Sequence, residues 1–182
     1  MERPNLHISL QTDAALLSEF YCGQDEMDEF IHTRLGAFIK SYPTSRFYVV
    51  KDDAQTIVAM FVLNSGHLYL DEDCKDDLMM KFPELKGVDS LRDYWESGVF
   101  PTVEIEYIAV RKDMRGKHIG STLIHYIRSL QSDKHFHNPR FISVSAYCTS
   151  SYSAVPFYQK CNFWAAEIKN PYANTLRMYR LF

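Results

Sequence analysis

The stretch Val103 to Leu130, VEIEYIAVRKDMRGKHIGSTLIHYIRSL, constrains the fold most, because its hydrophobic period changes once within it. Val103 to Val110 is rich in β-branched and aromatic residues and holds no Gly or Pro, which predicts a strand. Arg111 to Arg115 is a charged turn. From Gly116 onward Ile119, Leu123, Ile124, Ile127 and Leu130 recur at spacings of three and four, which predicts a helix. The loop Arg115-Gly116-Lys117-His118-Ile119-Gly120 therefore falls on a helix N-terminus. Several N–H groups there have no intrahelical partner, and the helix dipole is positive. Such a terminus suits a phosphate, and glycine lets the backbone approach a bulky anion closely. The loop is not a Walker loop, since no Gly-Lys-Ser/Thr closes it, and the dinucleotide pattern G-x-G-x-x-G is absent.

The rest of the chain alternates similar signals. Asn5 to Leu10 predicts a first strand, and Thr12 or Asp13 can cap a short helix through Phe20. After a turn at Cys22-Gly23, Asp25 can cap a helix whose apolar face is Met27, Phe30, Ile31, Leu35, Phe38 and Ile39, ending at Tyr42-Pro43. Arg46 to Lys51 and Gln55 to Asn64 read as a hairpin turning at Asp52-Asp53-Ala54. Ser65 to Phe100 is the least regular region, with short helices expected around Lys75 to Phe82 and Ser90 to Glu96. Arg140 to Tyr147 alternates as a strand. Ser150 or Ser151 can cap a helix that starts near Val155, with Pro156 in its first turn, and runs through Lys160. Phe163 to Ile168 and Leu176 to Phe182 close the chain as two antiparallel strands. This order predicts an α/β fold, a mixed sheet with helices on both faces.

A chain of 182 residues without repeat, linker or low-complexity tract reads as a single domain over residues 1–182. A net charge of −3 advertises neither a nucleic-acid nor an anionic-membrane surface. Cys22, Cys74, Cys148 and Cys161 form no C-x-x-C pair and read as reduced thiols of a cytoplasmic protein. No apolar leader and no membrane-length apolar run is seen. His125, His135 and His137 do not make a metal-binding spacing, so no metal is expected.

The chemistry is expected where strands 103–110 and 140–147 run as parallel neighbours through a right-handed crossover, since ligands bind at the carboxyl ends of such strands. Glu104 and Glu106 share a strand face with Ile108 and Val110. They either face a cleft, as a general base acting directly or through water, or line a solvated face or pair with arginines. Tyr158 carries a phenol whose reference pKa lies within roughly 2 units of a thiol's, so it can protonate a departing thiolate.

These residues resemble the GNAT superfamily of N-acetyltransferases over nearly the full chain. Arg115-Gly116-Lys117-His118-Ile119-Gly120 resembles the family's Arg/Gln-x-x-Gly-x-Gly/Ala acetyl-CoA motif, with His118 where the family prefers glycine. Phe157 to Phe163 resembles Phe-Tyr-x-x-x-Gly-Phe, with Asn162 for the glycine. The resemblance implies a mostly antiparallel sheet of about seven strands, split in a V between the fourth and fifth, and a bulge in the fourth. It implies acetyl-CoA as cofactor, bound by Ile108, Ala109, Val110, Arg115, Gly116, Lys117, His118, Ile119, Gly120, Ser121, Ser151 and Tyr158. His118 implies either a conformation without positive φ or a side chain turned from the pyrophosphate. Tyr158 is then the general acid, and Glu104 or Glu106 the base. The expected acceptor is a small-molecule or peptide primary amine attacked directly in a ternary complex, without a membrane partner; a homodimer is common among relatives. Phe20-Tyr21-Cys22-Gly23 with Met27-Asp28-Glu29-Phe30-Ile31 also resembles the opening of toxin-type GNATs that acetylate aminoacyl-tRNA, against which the mild acidity weighs. A non-catalytic acyl-CoA sensor is the third reading.

Overall fold

The structure is a computed structural model, and it describes residues 5–81, 83, 92–136, 139–166 and 174–182. Its strands are β1 (His7–Gln11), β2 (Arg46–Lys51), β3 (Ile57–Tyr69), β4 (Val99–Val110), β5 (Phe141–Tyr147), β6 (Trp164–Ala165) and β7 (Thr175–Leu181). Its helices are α1 (Asp25–Thr33), α2 (Leu35–Ser41), α3 (Glu72–Lys81), α4 (Arg92–Ser97), α5 (Ile119–Ser129) and α6 (Val155–Lys160). Among the described residues the strands form one seven-stranded mixed sheet in the order β1-β2-β3-β4-β5-β7-β6. The β1–β2, β2–β3, β5–β7 and β6–β7 ladders are antiparallel, and β4 runs parallel to β5. The chain clusters into two compact units, Met1–Asn64 with Ile105–Ser129 and Ser65–Glu104 with Leu130–Phe182. Strands β3 and β4 contribute to both.

In the first unit, strand alternation sends two sets of side chains to opposite faces. Phe47, Val49, Met60 and Val62 pack with Ile31, Leu35 and Ile39 of α1 and α2. Tyr48 stacks on Phe61 at 4.6 Å, and both meet Tyr126 of α5 edge-on at 6.1 and 6.0 Å. Ile119, Leu123, Ile124 and Ile127 make the buried stripe of α5, as their spacing predicts. Each such side chain, fully buried, stabilises by about 2 kcal/mol. In the second unit, Leu78 of α3 packs with Phe100, Phe141 and Tyr179, against which Tyr94 and Trp95 of α4 also lean.

Several boundaries differ from the sequence reading. Asp13 does cap, its Oδ1 accepting from Ala15 N at 2.9 Å, but only a 3-10 turn, Ala14–Leu17, follows. The expected helix from Asp25 breaks in two at Arg34, whose φ of −121° leaves the helical region, and its N-cap is Gln24. The hairpin connection takes five residues, 52–56, with Gln55 at φ +61°, so β3 starts at Ile57 rather than Gln55. Strand β3 continues to Tyr69 and β4 begins at Val99, so sheet replaces both ends of the region read as irregular. The helices expected near residues 75–82 and 90–96 appear as α3 and α4, while Phe82 and Ser90 lie outside the described residues. So do the end of the strand expected to reach Ile168, and His137. Ser150 and Ser151 do not cap α6: the Thr149 hydroxyl closes a turn with Tyr152, and Ala154 becomes the N-cap, with Pro156 in the first turn as expected. All four cysteines are free thiols.

Candidate functional site

In the first unit, β4 runs out into the loop that leads to α5. Arg111 N donates to Val58 O at 2.9 Å, so the chain is still fastened to β3 where it leaves the sheet. The Arg111 guanidinium grips Asp113 with two bonds, Nε–Oδ1 at 2.6 Å and Nη2–Oδ2 at 2.9 Å. That grip holds the Asp113 carboxyl below its usual range. A 3-10 turn, Lys112–Met114, follows, and Met114 is its buried anchor.

This turn is buttressed by the Cys22-Gly23 turn. Asp28 of α1 accepts from Cys22 N at 2.7 Å and Gly23 N at 2.9 Å, while Lys112 N donates to Tyr21 O at 3.0 Å. Gly23 sits at φ +78°, and a Cβ there would lie 2.8 Å from Lys112 Cδ. The Cys-Gly pair and the later Asp are thus one clamp. Burial, and then Asp28, push the Cys22 thiol up to about 11.

Gly116 and His118 both adopt left-handed backbone, at φ +76° and +61°. The first alternative for His118 is therefore excluded: it keeps the positive φ that glycine would supply. Its carbonyl accepts from Thr122 N at 3.0 Å, Ser121 Oγ at 2.8 Å and Thr122 Oγ1 at 3.1 Å, which makes it the N-cap carbonyl of α5. The N–H groups of Ile119, Gly120 and Ser121 then have no intrahelical acceptor. Arg115, Gly116, Lys117 and His118 are exposed. The Arg115 guanidinium has no hydrogen-bond or ion-pair partner among the described residues, where Lys117 Nζ meets only Met114 Sδ at 3.2 Å. Exposed cations beside free helix-terminal donors fit a diphosphate. The Ser121 hydroxyl hydrogen is spent on His118 O, so its main-chain N–H is the donor it leaves without an intrahelical acceptor.

Upstream on β4, Asn64 Nδ2 donates to Glu106 Oε1 at 3.0 Å. Asn64 follows Met60 and Val62 in alternation, and those lie on the α1–α2 side with Ala109. Tyr107 is also on that side, its ring stacked on Phe30 at 4.1 Å and edge-on to Phe38 at 5.3 Å. Consecutive residues Glu106 and Tyr107 therefore project to one side. A regular strand forbids that; a β-bulge does it. Glu106 accordingly does not share a face with Ile108 and Val110, contrary to simple alternation. Ile108 and Val110 are half-buried, and Ala109 is core. Burial, then the Glu106 charge, raise the Tyr107 phenol above its ordinary value.

In the second unit, Glu104 is ion-paired with Arg177 of β7. Arg177 also donates to Ser143 Oγ at 3.1 Å, Ser145 Oγ at 3.3 Å and His67 O at 3.4 Å, and Ser143 donates to Thr102 at 3.0 Å. Gly66 makes room for this strip, since a Cβ there would sit 2.6 Å from Glu104 Oε2. Of the alternatives for the glutamates, pairing with arginine describes Glu104, and Glu106 keeps one oxygen without a partner among the described residues.

Tyr158 is buried in α6, against Phe157 and Phe163 at 5.0 and 5.2 Å. Its carbonyl accepts from Phe163 N at 3.0 Å, and Gln159 O accepts from Asn162 N at 3.0 Å, with Asn162 at φ +60°. These bonds are a complete Schellman motif with its C3–C″ apolar contact, and Asn supplies the left-handed residue. Burial, then Tyr152 and Cys161, raise the phenol, so it stays protonated at neutral pH. Ser151 is exposed, its hydroxyl 3.2 Å from Thr149 Oγ1 in the turn that precedes α6.

The sequence reading missed Asn64 and Arg177 as partners of the two glutamates. Asn64 had one signal, a lone amide closing the apolar run Ile57 to Leu63.

A family model described as an acetyltransferase (GNAT) domain matches residues 43–165. No curated protein matches the chain. Similar solved structures include AtaT complexed with acetyl-methionyl-tRNAfMet, at 18% identity over 95% of this chain and 94% of that one, with TM-score 0.64. AtaTR bound with AcCoA is 19% identical over 94% and 91%, with TM-score 0.61. A mutant of KacT is 15% identical over 94% and 93%, with TM-score 0.64. At such identities the likeness is one of fold.

Proposed function

The chain belongs to the GNAT acetyltransferase family, and from that membership we propose that it moves an acetyl group directly onto a primary amine, with Glu106 as base and Tyr158 as acid. It is an N-acetyltransferase, and acetyl-CoA is its acetyl donor. Acetyl-CoA supplies a thioester carbonyl, and the reaction exchanges its C–S bond for a C–N bond. The α5 N-terminus and the Arg115 and Lys117 side chains hold the diphosphate. Glu106 takes the proton that the attacking amine must lose. Main-chain N–H groups between Ile108 and Val110 serve the carbonyl oxygen as charge builds on it. Tyr158 gives its proton to the leaving thiolate.

The contrast between the two carboxylates carries this assignment. An arginine occupies Glu104 and would have to be displaced before a proton arrived. Glu106 carries one bond from a neutral amide and keeps an oxygen open. An acetyl-CoA consumption screen over polyamines, amino acids, peptides and charged tRNA tests the reading. Thiol release matched by N-acetylation of a primary amine is expected; thiol release with no acetylated amine overturns it.

A second reading takes aminoacyl-tRNA as acceptor. It draws on the Cys22-Gly23 clamp by Asp28, which resembles the toxin-type opening, and on the structural likeness to AtaT complexed with acetyl-methionyl-tRNAfMet. Turnover confined to charged tRNA, with growth arrest on expression, selects it.

A further inference from the structure

Two polar atoms in the first unit are buried with nothing to bind. Ser45 Oγ and Asn64 Oδ1 have no hydrogen-bond partner among the described residues. They are close along the ladder, because Ser45 precedes Arg46 and Asn64 follows Leu63, and Arg46 and Leu63 are the last pair of β2 with β3. The same Asn64 side chain holds Glu106 Oε1 at 3.0 Å, and the second Glu106 oxygen is open. Buried acceptors without donors are rare and cost stability. One of the two side chains, Asn64, also holds the Glu106 carboxylate, so the pair marks a place that lacks a donor.

An aromatic wall adjoins this place. Tyr107 follows Glu106 and stacks on Phe30, Phe38 meets both, and Phe38 lies 4.7 Å from the exposed Tyr42. Ser45 N donates to Tyr42 O at 2.8 Å, which ties the far end of the wall to the orphaned hydroxyl. Arg34 already covers the Phe30 ring at 5.6 Å, so the wall suits an apolar or flat body rather than a second cation.

We propose that Ser45 Oγ, Asn64 Oδ1 and the open oxygen of Glu106 seat the ammonium group of the acceptor, whose apolar or aromatic body lies against Tyr107, Phe30, Phe38 and Tyr42. The inference rests on the proposed amine acetylation and narrows its acceptor class. A primary ammonium brings three N–H donors to three acceptors. A secondary one replaces a donor with carbon and leaves a buried oxygen unmet, which disfavours it.

The test is an NMR titration of 15N-labelled protein with phenethylammonium chloride, and with its N-methyl and N,N,N-trimethyl analogues. The Asn64 side-chain amide reports the seat. The backbone amides of His118 to Ser121, followed separately under coenzyme A, report the donor site. Phenethylammonium should move the Asn64 signal saturably. The N-methyl analogue should bind about tenfold more weakly, as should phenethylammonium to Ser45→Ala, one charged hydrogen bond being lost in each case. Ser45→Ala should hold or raise Tm, because it deletes an unmet buried hydroxyl. A stationary Asn64 signal, or equal binding of the trimethyl analogue, overturns the seat whatever coenzyme A does. Unmoved loop amides under coenzyme A would instead overturn the donor-site reading.

Discussion

Glutamine at each β4 glutamate in turn separates a structural carboxylate from a working one. Glu104→Gln keeps the shape and removes the charge. Arg177 loses its anion but keeps Ser143 Oγ at 3.1 Å, Ser145 Oγ at 3.3 Å and the His67 carbonyl at 3.4 Å. Both side chains of the pair are 21% exposed, so solvent does not erase the interaction. A hydrogen bond to a charged group contributes about 1.5–3 kcal/mol and a neutral one about 1 kcal/mol. The expected loss is therefore about 1–2 kcal/mol, read as a lower urea midpoint at unchanged m. Turnover should be little affected. In Glu106→Gln the amide oxygen can still accept from Asn64 Nδ2, so stability should change by less than about 0.5 kcal/mol. Its kcat should fall about a hundredfold or more, the usual contribution of a positioned base. Urea unfolding by circular dichroism and thiol release, with the amine that the acceptor screen returns, give both numbers. A hundredfold loss in Glu104→Gln at unchanged stability, or full turnover in Glu106→Gln, would refute the assignment.

Tyr158→Phe should lower kcat about a hundredfold and leave acetyl-CoA affinity nearly intact by calorimetry; equal turnover removes the phenol from the reaction. Because burial raises that phenol, its donor form should persist through mildly alkaline pH, and no loss of kcat between pH 8 and about 10 should trace to Tyr158. Gly120→Glu puts a carboxylate at the α5 N-terminus and should abolish coenzyme A binding, and retained heat of binding would mean the loop is misassigned. His118→Val should be about 1–2 kcal/mol less stable than His118→Gly, since a β-branched residue resists φ +61°, and equal urea midpoints would count against the left-handed backbone.

What the sequence disclosed was what local spacing encodes. The α5 stripe, the β5 alternation and the proline in the first turn of α6 each depend on neighbours within a turn or a pleat. What it hid depends on distant partners. Arg177 stands 73 residues from Glu104, and Asn64 stands 42 from Glu106, so no window could pair them. The bulge that turns Glu106 toward Asn64 hid for another reason. Strict alternation is the default inference from any apolar strand, and one extra residue reverses the side of everything before it. The split between α1 and α2 escaped notice because both halves keep their apolar residues toward Phe47 and Met60, so the stripe survives the break.

The two departures from the family's glycine pattern yield to one argument. His118 and Asn162 stand where glycine is usual, and both keep φ near +60°. A side chain in that region costs about 1 kcal/mol, least for asparagine, so each position endures only if local bonds over-determine it. At Asn162 the flanking main-chain bonds do so: Phe163 N and Asn162 N close the Schellman pair, and the first of these bonds ends on the carbonyl of Tyr158. At His118 the carbonyl receives Thr122 N and two hydroxyls, which fix the first turn of α5. The same bonds that tolerate a non-glycine residue therefore aim the groups to which the proposed chemistry is assigned, a buried phenol in one case and unbonded helix amides in the other. Backbone conformation, rather than the glycine itself, is what both motifs require.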